Sequence, residues 1–355
     1  MSTVNRIVRT FVAASLCVAL CDSVLAGDAP WSGAGPYKVG TIASLQLTDA
    51  VRGRTIDVLV RYPEGPGPYP VIIFSHGSFS NKDTFSPASE HWAGYGYVVI
   101  HPNHADARGG TLAGGLAGRP SPDQTRSRSA LIGRSGFFGG GAGVANGGTS
   151  RIERIRDISS VLDSLDQVEA QIPALRGKLL QEAVAVAGHS FGAYVAQCQG
   201  GVKTLVDGRL ENLSDPRVKC VVPISAQGES QSYGLTGDSW TEARTPAMHI
   251  TGTRDRSAPN RPGGQMGDVR TKVVPFERSP AGGKYLLIIE GATHLSFGGR
   301  LGDTRGGADA VSLTKIMSLA FLEAYLRHDE EAKAWLDGEA SSRWIDTQAE
   351  LKRKL

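Results

Sequence analysis

With 355 residues, 21% of them charged and a formal net charge of +3, the chain can bury a sizeable core, either as one large α/β domain or as two small ones. Nothing in that balance resembles the basic footprint of a nucleic-acid binder. Glycine is abundant, at 45 residues, and much of it falls in one stretch, 107–150.

The first residues read as an address. Arg6 and Arg9 precede the apolar run 10–20, and Val24-Leu25-Ala26 ends in a small residue. This pattern predicts a secretory signal peptide over 1–26, and hence a secreted or periplasmic protein. The run is too short for a membrane anchor and has no basic stop behind it. Leu20 is too large for the residue before a lipidated Cys21. Cys198 and Cys220 would remain, either bridged in an oxidising compartment or as two buried thiols.

Residues 27–355 are expected to form a single domain. Residues 55–61 alternate apolar and polar, then stop at a Pro/Gly-rich loop. Residues 71–75 and 97–100 are short β-branched or aromatic runs, expected as buried strands with a helix at 84–94 between them. From 107 to 150 the periodicity vanishes among glycines, including Gly139-Gly140-Gly141, and the scattered Arg126, Arg128 and Arg134. A long insertion of this kind is typically a lid, a binding loop or a disordered segment. Ile152, Ile155, Ile158, Val161, Leu162 and Leu165 then form a helical stripe over 151–171. Further buried strands are expected at 183–187, 218–225, 247–251 and 285–289, and a last amphipathic helix at 312–327. Strands alternating with helices imply an α/β fold with a largely parallel central sheet covered on both faces.

The most informative stretch is Gly188-His189-Ser190-Phe191-Gly192. It fits G-x-S-x-G and sits between an apolar strand and a helix, the context in which that pattern forms a strained turn. Both flanking glycines are needed because a side chain there would meet neighbouring backbone. The turn lifts the Ser190 hydroxyl above the sheet and aims a helix N-terminus at any anion formed beside it.

A serine needs a base to take its proton, and the base needs a third group to orient it. In a parallel sheet these groups belong at the carboxyl ends of strands. His294 follows the last predicted strand, and Asp255 follows the strand before it. His76 belongs to an earlier loop, His249 lies inside a strand and His328 is on the last helix. Asp215 competes as the acid but precedes its strand, where an Asp-Pro pair starts a turn. For the oxyanion, the expected donors are the backbone N–H groups of Phe191 and of Ser78. Gly77 allows close approach in that second loop, and His76 buttresses it. His101, His104 and Asp106 raise a metal hypothesis. The alternative is a polar loop after a strand, and no metal is assigned because the serine machinery is complete without one.

Together, Phe74-Ser75-His76-Gly77, the segment 93–104, Gly188–Gly192 and the helix bearing Asp157 and Asp163 resemble the α/β-hydrolase superfamily. The resemblance is to the bacterial dienelactone-hydrolase-like and platelet-activating-factor-acetylhydrolase-like esterases, over roughly 55–326. It implies an α/β-hydrolase fold and a serine esterase without a cofactor. In the acetylhydrolases the acid follows the strand after the elbow, where this chain has Ser225; the acid is therefore expected one strand later, at Asp255. The cysteine nucleophile of true dienelactone hydrolases is absent.

The resulting expectation is an exported serine hydrolase of carboxylic esters, with Ser190, His294 and Asp255 as its triad. Its substrate would be a small-molecule or lipid-like ester, with no nucleic-acid partner and no stable membrane insertion. An amidase or peptidase on the same triad is the nearest alternative. A non-catalytic binding protein on this fold is the other, and it would carry a broken triad or oxyanion loop.

Overall fold

The computed structural model describes residues 29–107, 147–257, 267–299 and 309–355, with side chains of the helix starting at Gly147 described from Arg151 onward. The expected signal peptide and nearly all of the expected insertion over 107–150 lie outside the described residues.

In chain order the strands are β1 (Val39–Asp49), β2 (Arg54–Pro63), β3 (Tyr69–Ser75), β4 (Val98–Pro102), β5 (Leu179–His189), β6 (Thr204–Val206), β7 (Arg209–Glu211), β8 (Val218–Ile224), β9 (Ala247–Arg254), β10 (Lys284–Thr293) and β11 (Ala349–Lys354). The helices are α1 (Ser86–Gly94), α2 (Gly147–Asp163), α3 (Leu165–Gln171), α4 (Phe191–Gln199), α5 (Val274–Arg278), α6 (Ala310–Leu326), α7 (Glu330–Asp337) and α8 (Glu339–Ile345).

Nine strands form one sheet in the order β1-β2-β4-β3-β5-β8-β9-β10-β11, and β6 and β7 form a separate hairpin. From β4 to β10 all pairings are parallel. Those between β1, β2 and β4 and between β10 and β11 are antiparallel. The central strands are continuous apolar runs because both faces are covered: every residue of β3 is buried. Alternation divides them between two cores. Val71 and Ile73 pack with Ile155, Ile158 and Val161 of α2, while Ile72 and Phe74 pack with Trp92, Met317 and Phe321 of α1 and α6.

The chain departs from expectation in its helices. The helix predicted over 151–171 is two, because Ser164 leaves helical dihedrals (φ −108°, ψ 13°) and its carbonyl starts α3 by accepting from the N–H groups of Gln167 and Val168. The helix predicted last is followed by α7, α8 and β11, and His328 lies just past α6 in the left-handed region (φ 58°). Of the two alternatives for Cys198 and Cys220, the structure has the pair of buried free thiols. Each belongs to a different core, on opposite faces of the sheet, so no bridge can join them.

Candidate active site

β5 delivers the chain to His189, α4 leaves from Phe191, and Ser190 alone makes the turn, at φ 55° and ψ −115°. So strained a residue persists only where its surroundings hold it. A Cβ on Gly192 would lie 1.8 Å from the Ser75 carbonyl oxygen, and one on Gly188 would lie 2.3 Å from that of Gly192. Strand and helix therefore touch backbone to backbone, which only glycine permits.

His294 follows the last residue of β10 and Asp255 follows the last of β9. The imidazole spans the gap between serine and carboxylate: Nε2 is 3.0 Å from Ser190 Oγ, and Nδ1 is 2.9 Å from Asp255 Oδ1. Because a carboxylate only accepts, Nδ1 carries the proton and Nε2 presents its lone pair to the serine. Asp255 is fully buried. Burial alone would raise its carboxyl, but the hydrogen bond from His294, the charge of Lys272 and the Ser225 hydroxyl hold it at about 2. Its second oxygen accepts from Thr251 Oγ1 at 2.9 Å.

Ser225, just beyond β8, donates from Oγ to Asp255 Oδ1 at 2.9 Å and lies 2.8 Å from His294 Nδ1. Its own carbonyl accepts from the buried Lys272 Nζ at 3.2 Å. His189 supports the far side of the base. Its Nε2–H donates to the His294 carbonyl at 2.9 Å, and burial holds it neutral, down to about 3.

The second wall comes from the loop after β3. A Cβ on Gly77 would lie 3.5 Å from Ser190 Cβ, so this backbone passes directly beside the serine. His76 Nδ1–H donates to the Gly77 carbonyl at 2.9 Å, and its Nε2 accepts from the His104 N–H at 3.3 Å. Burial, above all, keeps that ring neutral. A trans peptide points its N–H away from its C=O, so pinning the Gly77 carbonyl fixes the direction of the Ser78 N–H. Phe191 is the first residue of α4, where an N–H has no acceptor within the helix.

The remaining sequence candidates lie elsewhere. Asp215 takes a bidentate contact from Arg217 at 2.8 and 2.7 Å ahead of β8, at the opposite end of the sheet, as expected of a turn residue. His249 is buried within β9. His101, His104 and Asp106 point to different partners. His101 is buried against Phe74, His104 bonds to Ser75 and Asp157, and Asp106 pairs with Arg154. Among the described residues no cluster of His, Cys, Asp and Glu is arranged to hold a metal ion.

Sequence reasoning overlooked Ser225 as a contributor, along with Thr251, Lys272 and Arg154. Ser225 had a signal, since it occupies the strand end at which a carboxylate was sought. Lys272 and Arg154 have none, because each acts through neighbours far away in sequence, and Thr251, four residues before Asp255, reads only as a strand residue.

Residues 33–110 match the model of the chlorophyllase family. That region carries β1 to β4 and the loop with His76, Gly77 and Ser78, while Ser190, Asp255 and His294 lie beyond it. No curated protein matches the chain. The partial match and the sheet order together give an α/β-hydrolase fold and, at a coarse level, a hydrolase acting on esters.

Proposed function

We propose that this protein is a serine hydrolase that cleaves carboxylic esters through an acyl-enzyme intermediate. The observation that carries the reading is the His294 imidazole, bonded through opposite nitrogens to Ser190 and Asp255. Ser190 Oγ attacks the ester carbonyl and passes its proton to His294 Nε2 as the C–O bond forms. The carbonyl oxygen, now an anion, takes the N–H groups of Phe191 and Ser78. Collapse breaks the bond to the alcohol, which leaves with the proton from His294. Water then attacks the acyl-enzyme and gives a proton to the same nitrogen. The second collapse releases the acid and returns that proton to Ser190. Asp255, held at about 2, stays ionised throughout and stabilises the imidazolium.

Among serine esterases, we place the chain with the dienelactone-hydrolase-like and platelet-activating-factor-acetylhydrolase-like bacterial enzymes that it resembles. This placement rests on Phe74–Gly77, Gly188–Gly192 and the segment 93–104. Export follows from the basic, apolar and small-residue order of 1–26. A chain-length series of p-nitrophenyl esters, with wild type and Ser190→Ala in parallel, tests the reading. Turnover by wild type alone supports it. Turnover by neither, or undiminished turnover by the variant, rejects it.

A further inference from the structure

The two N–H groups assigned to the oxyanion come from separate parts of the chain. One follows Gly77 in the loop after β3, and the other opens α4. Their spacing is therefore set by whatever touches both. Arg154, on α2, does so. Its Nη1 donates to the His76 carbonyl at 2.6 Å, two residues before Ser78. Its guanidinium lies over the Phe191 ring, 4.3 Å from the centroid.

The guanidinium has no freedom to serve a ligand. Nε and Nη2 each donate to one Asp106 oxygen at 2.9 Å, a bidentate pairing that fixes the plane of the fork. Arg154 is 1% exposed, so it reaches its partners without meeting substrate. His76, whose carbonyl it holds, also pins the Gly77 carbonyl. The chain of contact thus runs from Asp106 through Arg154 to both walls of the hole.

We infer that Arg154, aligned by Asp106, is a positioning residue that sets the spacing of the Ser78 and Phe191 N–H groups. The inference rests on the serine-hydrolase reading. It assigns the buried Arg154–Asp106 pair to transition-state stabilisation, not to substrate binding. An interaction made only in the transition state lowers kcat when lost and leaves KM in place.

Arg154→Met keeps length and apolar contact with Phe191 but removes the fork, and Asp106→Asn loosens the fork without removing it. For p-nitrophenyl acetate, kcat should fall on the order of 100-fold in Arg154→Met and on the order of tenfold in Asp106→Asn, with KM within about twofold of wild type. Arg154→Lys, which can still donate to the His76 carbonyl, should recover part of the loss. Affinity for an aryl trifluoromethyl ketone, which adds Ser190 to give an oxyanion, should fall in parallel with kcat/KM. Affinity for the matching methyl ketone should not change. A variant that fails to fold is recognised by its melting curve, and Asp106→Asn then carries the test. Folded variants with unchanged kcat and unchanged trifluoromethyl ketone affinity overturn the inference, as does a raised KM at constant kcat. If wild type itself neither turns over esters nor binds the trifluoromethyl ketone, the serine-hydrolase reading falls first and the role of Arg154 falls with it.

Discussion

Ser225 Oγ lies 2.8 Å from His294 Nδ1, as close to the imidazole as the carboxylate oxygen at 2.9 Å or closer. The hydroxyl proton goes to Asp255, so the imidazole N–H is shared between a carboxylate and an alcohol. Ser225 also holds a left-handed conformation, φ 56°, which a side chain rarely adopts. Ser225→Ala should lower kcat by about tenfold, the weight of one hydrogen bond to a charged group. A carboxylate at this position would itself reach Nδ1. Ser225→Asp combined with Asp255→Asn should therefore recover activity that Asp255→Asn alone loses. A double variant no better than the single one would show that strand end to be wrongly placed for an acid.

Asp255→Asn should cost on the order of 1,000-fold in kcat or more, because an amide that donates to Nδ1 stabilises the wrong tautomer. The same carboxyl affects acid stability. Its folded value, about 2, lies below the ordinary 3.8, so its stabilisation is complete above the unfolded value and is lost as pH falls through the folded one. The amount is roughly 2 kcal/mol. Melting temperature measured from about pH 5 down to about pH 2 should fall less steeply in Asp255→Asn than in wild type.

Glycine substitutions around the turn should separate folding from chemistry. Gly192→Ala would place a methyl 1.8 Å from the Ser75 carbonyl oxygen, and neither backbone can yield without breaking the β3–β5 ladder. No soluble folded protein is expected. At Gly77 the nearest atoms would be 3.4 Å away, an ordinary contact, so Gly77→Ala should fold with a melting temperature close to wild type. Soluble yield and melting curves decide both.

Ser75, His104 and Asp157 repeat the Ser–His–Asp hydrogen-bond relay of the Ser190 site in a different chain order, with His104 Nε2 2.8 Å from Ser75 Oγ and Nδ1 2.9 Å from Asp157 Oδ2. All three are buried. A fluorophosphonate probe should label Ser190 alone, and Ser190→Ala should take no label at all. Modification mapped to Ser75 would mean that this interior opens to solvent.

The geometry of the candidate site was legible in the sequence to the extent that it is written in backbone constraint. Gly188 and Gly192 betray Ser190 because a close crossing of strand and helix excludes every other residue. His294 and Asp255 could be placed because buried parallel strands are plain in composition and sites gather at their ends. The same patterns located β3, β4, β8, β9 and β10. They missed β1 and β11, since edge strands bury only one side and show no continuous apolar run. They missed Arg154 because its meaning lies in partners 48 and 78 positions away, which no local pattern can encode.

The pairing of Asp106 with Arg154 also fixes the points at which the chain leaves the end of β4 and re-enters at α2. Residues 48 positions apart are joined there, so the ends stay together whatever the length of chain between them. The pair therefore ties the end of β4 to α2 directly, whatever the chain between them does.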